Sequence, residues 1–188
     1  LAVTADFGYR SPFGNAELRR LIALNLSAKD GGEIEVENVI VTAGSKHALS
    51  IALKIILQDD DEVIILDPCF VSYYPQVMLA NHRAKTISCR LDDDFNVDFS
   101  ELRRLISKRT KAILINTPNN PSGGIISSSE MDLIVKLAKD CDAYLICDEI
   151  YRDFVFGDTK FCSANCHRTQ YDKIITVDGF SKSYGMTG

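Results

Sequence analysis

The chain has 188 residues, of which 46% are hydrophobic and 25% charged, and its formal net charge at pH 7 is −5. This length and composition suit one globular domain with a sizeable core. The acidic balance, with no basic run longer than two residues, argues against a nucleic-acid-binding protein, and every apolar run is far too short to span a bilayer.

Apolar runs typical of buried strands alternate along the chain with segments of helical periodicity. Six runs are predicted to be strands: Val39–Thr42, Glu62–Leu66, Lys85–Ser88, Lys111–Asn116, Ala143–Cys147 and Lys173–Val177. Four segments are predicted to be helices: Ser45–Leu57, Val71–Ala80, Phe99–Ile106, and a segment from the capping box of Ser127 and Glu130 to about Asp140. Strands that are buried on both faces and separated by helices indicate βαβ units, and therefore an α/β fold with a mainly parallel sheet.

Polar or glycine-rich loops follow five of the six predicted strands. They read AGSK, DPCF, NTPNNPSGG, DEIY and DGFSKS in chain order. Because ligands of parallel α/β sheets bind beyond the carboxyl ends of the strands, these loops are expected to form the functional site. Taken one at a time, NTPNNPSGG also fits an ordinary turn, and the acid of DEIY fits an ordinary helix N-cap.

Three common motifs do not fit these loops. The turn at AGSK lacks the G-x-x-x-x-G-K-[ST] pattern of the nucleotide P-loop, and no G-x-G-x-x-G follows a strand. The Y-x-x-x-K pair of the short-chain dehydrogenases is absent around Lys182. What remains at AGSK is a small-residue turn that opens a helix, which either presents backbone N–H groups to an anion or is simply a helix start.

The cysteines are scattered through the sequence and fit reduced thiols in a cytosolic protein better than a disulfide framework. They are Cys69, Cys89, Cys141, Cys147, Cys162 and Cys166. The run CSANCH could supply three zinc ligands, but no second cluster completes a tetrahedral site, so we predict a loop there and no metal. The first residues lack the basic-then-apolar order of a signal peptide, and no initiator methionine is present, which predicts a trimmed cytoplasmic chain.

Taken together, six segments resemble the class I/II aminotransferases, which are fold-type I pyridoxal-phosphate (PLP) enzymes. The segments YRSPFGNAELR, TAGSKHAL, DPCFVSYYP, NTPNNPSGG, CDEIYRDF and FSKSYGMTG occur in the family's order between Tyr9 and Gly188. The resemblance implies the three-layer α/β/α large domain that binds PLP. It also implies transfer of an amino group between an L-amino acid and a 2-oxo acid.

The resemblance also implies roles for individual residues around the cofactor ring. Lys182 matches the lysine that forms the Schiff base and then, once displaced by substrate, acts as the base between Cα and C4′. Asp148 matches the aspartate that pairs with the pyridinium nitrogen, whereas its neighbour Glu149 is expected to be structural. Tyr151 and Asn120 match the two donors to the phenolic oxygen. Without the other segments, Lys182 alone would be read as a surface cation.

Further matches concern the ring face and the phosphate. Phe70 matches the aromatic residue that stacks on the ring, although a simple core role is the alternative. Ser45 and Lys46 match the loop that holds the phosphate at a helix N-terminus. Tyr9 matches a tyrosine that reaches the phosphate in the other subunit, which implies a homodimer. The alternative for Tyr9 is an aromatic residue in a mobile N-terminal segment.

One position departs from the family pattern, and several family features are not found in the sequence. Gly179 stands where some members carry a serine that binds phosphate, so one phosphate contact is expected to be missing or replaced. The family pattern continues past TG with a tryptophan, a phosphate-binding arginine and a small C-terminal domain, and it has an N-terminal segment that closes over substrate. We therefore expect residues 1–188 to be a partial large domain that is inactive alone. The alternatives are a non-catalytic fragment that binds PLP or is purely structural, a fold-type I PLP lyase and an enzyme like ACC synthase.

Overall fold

The computed structural model describes residues 11–187 of the chain, which forms two compact units, Leu1–Thr42 and Ala43–Gly188. Tyr9, which the sequence predicts to reach a phosphate group, lies outside the described residues. Within the described range, no helix combines the length and the apolar character that crossing a membrane requires.

The first unit contains one long helix that the sequence analysis did not predict. This helix, α1 (Ala16–Asp30), begins after Asn15, whose side chain accepts a hydrogen bond from the Leu18 N–H at 3.0 Å. Such an Asn N-cap satisfies one of the N–H groups that a helix leaves unpaired at its start.

The predicted strand at Val39–Thr42 is wrong. The backbone is extended at Val39, and the Val41 N–H donates to the Phe13 carbonyl oxygen at 2.9 Å. Among the described residues, however, no strand pairs with this segment, so it has β-like dihedral angles without a β-ladder. A hydrophobic run predicts an extended backbone but not the presence of a pairing partner.

The second unit contains a parallel sheet and its crossover helices. Within the described residues, its strands are β1 (Glu62–Asp67), β2 (Lys85–Arg90), β3 (Thr110–Asn116), β4 (Tyr144–Asp148) and β5 (Ile174–Val177), and its helices are α2 (Ser45–Ile56), α3 (Tyr73–Ala80), α4 (Phe99–Leu105), α5 (Ser128–Asp140) and α6 (Phe180–Ser183). Every strand and helix predicted for this unit is present, with ends displaced by at most about two residues. The short helix α6 was not predicted.

The strands lie in the order β2-β1-β3-β4-β5, and every neighbouring pair is parallel. From β1 the chain first adds β2 on one side and then returns to add β3, β4 and β5 on the other. The strand order therefore reverses between β1 and β3. In doubly wound sheets this reversal opens a crevice at the carboxyl ends of the two strands, where ligands bind.

Alternating strand residues supply two apolar cores, one on each face of the sheet. Ile64, Ile113 and Leu145 pack on one face against residues of α4 and α5. Ile65 and Leu114 pack on the other face against residues of α2 and α3. Because strands send successive side chains to opposite faces, this double burial explains why the strands read as continuous apolar runs. The predicted three-layer α/β/α arrangement is confirmed.

Two local predictions concern the connections. The capping box is confirmed: the Ser127 hydroxyl accepts from the Glu130 N–H at 3.3 Å, and the Glu130 carboxylate accepts from the Ser127 N–H at 2.8 Å. The CSANCH segment, predicted to be a loop, contains a short 3-10 turn at Ala164–His167. In the part of the chain that the structure describes, no three His, Cys, Asp or Glu side chains are grouped so that they could hold a metal ion.

Candidate active site

The carboxyl ends of three adjacent strands lie side by side. In the sheet register, Asn116 at the end of β3 is opposite Asp148 at the end of β4, and Asp148 is opposite Val177 at the end of β5. The loops that follow these strands carry Asn120, Tyr151 and Lys182. The parallel register therefore brings the predicted site residues of the last three strands to one edge of the sheet.

Asp148 is a buried carboxylate with hydrogen bonds to both of its oxygens. It is 4% exposed; its Oδ2 accepts from the Tyr73 hydroxyl at 2.9 Å and its Oδ1 accepts from the Ile150 N–H at 3.2 Å. Burial raises the pKa of Asp148 to about 6; the Tyr73 and Ile150 donors oppose this rise, and the nearby Asp178 adds to it. A negative charge is thus kept in the interior at a cost to folding, which is typical of a functional position.

The raised pKa predicts that Asp148→Asn stabilises the cofactor-free protein at alkaline pH. In the folded protein Asp148 binds its proton more tightly than in the unfolded chain, so its contribution to stability is present below about pH 4 and is lost as the pH rises through about 6. At pH 8 the asparagine variant should therefore gain up to about 3 kcal/mol, from roughly two pH units at about 1.4 kcal/mol each.

Urea unfolding at pH 4 and pH 8 measures this gain. The control is Asp93→Asn in the turn after β2, whose side chain is exposed and which should change stability little at either pH. An Asp148→Asn variant whose stability relative to the unsubstituted protein is the same at both pH values would contradict the prediction.

Lys182 and Tyr151 approach each other from neighbouring strand ends. Lys182 lies in α6 directly after β5, and its Nζ is 5.4 Å from the centroid of the Tyr151 ring. Tyr151 lies in the turn after β4 and is half-buried. The Lys182 side chain is exposed, so its amino group faces the open side of this edge.

Phe70 and the start of α2 form a second part of the edge. Phe70 follows β1, and the Nζ of Lys46 lies 5.2 Å from the centroid of its ring. Helix α2 begins at Ser45, and the His47 and Ala48 N–H groups donate to the Gly44 carbonyl oxygen at 3.1 and 3.2 Å. The Ser45 and Lys46 N–H groups are therefore the ones at this helix start that are placed to bind an anion. The Gln76 side chain of α3 donates to the Lys46 carbonyl oxygen at 3.2 Å, which fixes this helix start.

Hydrogen bonds connect the loops that follow β1, β3 and β4. The Asn116 side chain donates to the Asp148 carbonyl oxygen at 2.8 Å and accepts from the Asn120 N–H at 2.7 Å. The Asn119 side chain donates to the Pro68 carbonyl oxygen at 3.1 Å, across the point where the strand order reverses. The loop that carries Asn120 is therefore held in place by both neighbouring strand ends.

An open cleft adjoins this loop. It has a volume of about 540 Å³, and its walls include Asn120, Pro121, Tyr151, Phe154 and Phe156. That volume lies within the range of about 300–1,000 Å³ that is usual for small-molecule sites. The two predicted donors to the phenolic oxygen of PLP, Asn120 and Tyr151, thus line the same cleft.

Two residues of this edge were not predicted from the sequence to belong to the site. Tyr73 contacts Asp148 directly, and Asn116 connects β4 to the Asn120 loop. A polar residue at the end of a buried strand is a usable signal for Asn116, because its side chain needs partners there. For Tyr73 the sequence offers no such signal, since the adjacent Tyr74 is the same residue type.

Gly179 has a steric explanation. A Cβ atom at this position would lie 3.0 Å from Ile150 Cδ1, so a serine here would require Ile150 to move. Its φ of 178° is ordinary extended backbone, so the glycine is favoured here by the close approach of Ile150 and not by conformation. The β4 and β5 loops thus pack closely at the position where the sequence departs from the family pattern.

Glu149 belongs to the interior and not to the cleft. It is 0% exposed, and its carboxylate accepts from the Ser163 hydroxyl at 2.8 and 3.1 Å and from the Ala164 N–H at 2.9 Å. The Arg152 guanidinium lies 3.6 Å away and is itself buried. These contacts anchor the turn after β4, as expected for a structural acid.

The residues at this edge fit the chemical groups of PLP. A buried carboxylate, a primary amine, an aromatic ring, amide and phenol donors and a helix start are all present within neighbouring loops. Two buried polar atoms, Asn119 Oδ1 and Ser183 Oγ, have no hydrogen-bond partner within the described residues, and a polar ligand would satisfy them. The donor set suits an anionic aromatic aldehyde better than a metal ion.

Comparisons with known proteins identify relatives. A family model described as aminotransferase class I and II matches residues 3–188. The chain is 37% identical over 180 residues to an aspartate aminotransferase of Thermotoga maritima, covering 96% of this chain and 48% of the relative, and 33% identical over 181 residues to an aspartate aminotransferase of Pyrococcus abyssi, covering 96% and 46%. The crystal structure of an aromatic aminotransferase from Pyrococcus horikoshii superposes with a TM-score of 0.91 at 33% identity, covering 96% of this chain and 48% of that one. The chain spans about half the length of the curated relatives it matches.

Proposed function

Because the chain belongs to the class I and II aminotransferase family, we propose that it forms the PLP-binding site of an enzyme that transfers an amino group between an L-amino acid and a 2-oxo acid. The observation that carries the proposal is the buried, doubly hydrogen-bonded Asp148 carboxylate, one strand away from the turn that bears Lys182. Removing the Asp148 carboxylate from water, to 4% exposure, costs free energy that a cationic partner offsets. A pyridinium nitrogen is such a partner.

Lys182 and Asp148 carry the chemistry in this proposal. When bound, PLP supplies a carbonyl carbon that condenses with amines and a ring that withdraws electrons from the substrate Cα. Lys182 contributes the primary amine, and its Nζ, once free, takes the proton from the substrate Cα. Asp148 holds a proton on the ring nitrogen by its negative charge.

The remaining residues bind and orient the cofactor. Asn120 and Tyr151 would donate hydrogen bonds to its phenolic oxygen, which their shared cleft supports. Phe70 would lie against the ring, and the start of α2 at Ser45 and Lys46 would bind the phosphate through backbone N–H groups. Residues 1–188 would thus form part of the cofactor-binding large domain.

The proposal extends to assembly and location. We propose that the protein acts as a homodimer, with Tyr9 of each subunit reaching the phosphate of the other, in line with the family resemblance. We also propose that it works in the cytoplasm. The free state of all six cysteines supports a reducing compartment.

Amino-acid-driven conversion of the bound cofactor tests the function. The intact protein, loaded with PLP, is mixed with L-aspartate or L-phenylalanine, because relatives are aspartate and aromatic aminotransferases. We expect the absorbance of the bound cofactor to shift to that of its amine form, with one equivalent of 2-oxo acid released. D-aspartate serves as the control and should produce no shift. Ammonia release without formation of the amine form would contradict the proposal and favour a PLP lyase.

A further inference from the structure

Tyr73 connects two walls of the proposed cofactor site. It lies at the start of α3, is 1% exposed, and donates its hydroxyl proton to Asp148 Oδ2 at 2.9 Å. Its ring meets the Phe70 ring edge-on, with centroids 5.7 Å apart and an angle of 83° between the ring planes. One buried side chain therefore contacts both the proposed partner of the ring nitrogen and the proposed partner of the ring face.

The hydroxyl of Tyr73 is a permanent donor in this position. Burial and the neighbouring Asp148 carboxylate raise the pKa of Tyr73 far above its usual range, and Cys69 and Tyr151 act in the same direction. The phenol is therefore protonated at neutral pH and can donate its proton to Asp148. Asp148 Oδ2, when ionised, consequently accepts a charge-assisted hydrogen bond, which is stronger than one between neutral groups.

The same hydrogen bond opposes the rise in the Asp148 pKa that burial and Asp178 cause. Burial and the negative charge of Asp178 raise the pKa of Asp148 to about 6, and the Tyr73 hydroxyl and the Ile150 N–H act in the opposite direction. Of these two donors, the Ile150 N–H belongs to the backbone two residues away, whereas Tyr73 reaches Asp148 from α3. Tyr73 is thus the side-chain donor that keeps the carboxylate ionised near neutral pH.

We propose that Tyr73 is a positioning residue, which holds Asp148 in the orientation and the charge state that a cationic ring nitrogen requires while its own ring supports Phe70. This inference rests on the proposed function for the identity of the ligand. The contact itself is a property of the protein without ligand. A merely structural role, in which Tyr73 fills space under α3, predicts altered stability and an unaltered Asp148 titration.

Tyr73→Phe tests the proposal, with Tyr74→Phe as the matched control. Both substitutions remove one hydroxyl from adjacent residues, and the Tyr74 hydroxyl lies 3.5 Å from Asp67 and not near Asp148. In the intact protein freed of cofactor, the carboxyl carbon of Asp148 is titrated by NMR of aspartate labelled with carbon-13. Tyr73→Phe should raise the Asp148 pKa by about 1 to 2 pH units, the size expected for loss of a hydrogen bond to a charge. Tyr74→Phe should leave it unchanged.

Cofactor binding supplies the second measurement. At pH 6.5 Tyr73→Phe should bind PLP about threefold to 25-fold more weakly than the unsubstituted protein, because raising the Asp148 pKa from about 6 by 1 to 2 pH units lowers the ionised fraction at this pH by that factor. At pH 9 the difference should shrink to about twofold or less, since Asp148 is then ionised in both proteins. An equal loss of affinity at both pH values would overturn the proposal and leave Tyr73 as a packing residue.

The outcomes separate this proposal from the proposed function. An Asp148 titration that is the same in Tyr73→Phe and in the unsubstituted protein overturns the role of Tyr73, whatever ligand the site binds. If PLP does not bind at all, the proposed function is contradicted. The titration experiment then still decides by itself whether Tyr73 controls the Asp148 pKa. In the unsubstituted protein, the NMR chemical shift of the Tyr73 hydroxyl proton should change with pH at the same midpoint as the Asp148 carboxyl carbon. This measurement tests the contact without any substitution.

Discussion

Replacing Lys182 with alanine is expected to abolish covalent attachment of PLP to the intact protein and to lower turnover by at least about 10²–10⁴-fold, the contribution of one positioned proton-transfer group. The variant loses the primary amine that bonds to the cofactor and the base that removes the substrate proton. Its fold should be unaffected, because the Lys182 side chain is exposed and lies at the end of the four-residue helix α6.

Lys46→Ala provides the matched control for this prediction. Lys46 is also an exposed lysine at the carboxyl edge, with its Nζ over the Phe70 ring. Removing it should weaken PLP binding through the loss of a positive charge near the phosphate, while the covalent bond to the cofactor still forms. Visible absorbance of the bound cofactor and steady-state rates are measured for both variants. Near-normal turnover in Lys182→Ala would exclude Lys182 as the catalytic amine.

Glu149→Ala is expected to have the largest effect on stability, about 3–5 kcal/mol, which is the usual cost of removing one partner of a buried ion pair. The substitution removes the acceptor of the Ser163 hydroxyl and the Ala164 N–H, and it takes away the carboxylate that lies 3.6 Å from the guanidinium of the buried Arg152. Unlike Lys182→Ala, this change should act on folding first and on activity only through the displaced turn that carries Tyr151.

Chemical unfolding of the cofactor-free protein measures the loss. Glu149→Gln should fall between alanine and the unsubstituted protein, because the amide oxygen still accepts hydrogen bonds but the charge is gone. Glu17→Ala, which removes an exposed carboxylate paired with Arg20 on α1, should change the unfolding midpoint little. A Glu149→Ala loss below about 1 kcal/mol would place Glu149 among ordinary surface acids and contradict the account of the interior network.

Periodicity was sufficient to predict the second unit of the fold. Runs such as the one from Glu62 to Leu66 are buried on both faces, and the structure explains this by one core on each side of the sheet. The same signal failed at Val39–Thr42, because strand formation depends on a neighbouring strand that the local sequence does not encode. Helix α1 was missed even though Asn15 caps it.

The candidate site could be predicted only in part, for a related reason. Loops after parallel strands share one edge, so the loops that carry Asp148, Tyr151 and Lys182 were expected to meet there, whereas the roles of these residues were implied by the family resemblance. Which of two adjacent tyrosines points inward depends on where α3 begins and how it packs on the sheet. Tyr73 becomes the buried donor to Asp148, while Tyr74 stays half-buried near Asp67. Contacts between residues 75 positions apart require the tertiary structure.

Borohydride reduction of the intact protein in the presence of PLP, followed by peptide mapping, tests the central claim most directly. Reduction makes the bond between cofactor and amine permanent, so the labelled residue identifies the catalytic lysine. We expect one labelled position per chain, at Lys182 in the peptide that contains FSKSYGMTG. Labelling at Lys46 or at another lysine, with Lys182 unmodified, would contradict the assignment of this edge as the PLP site.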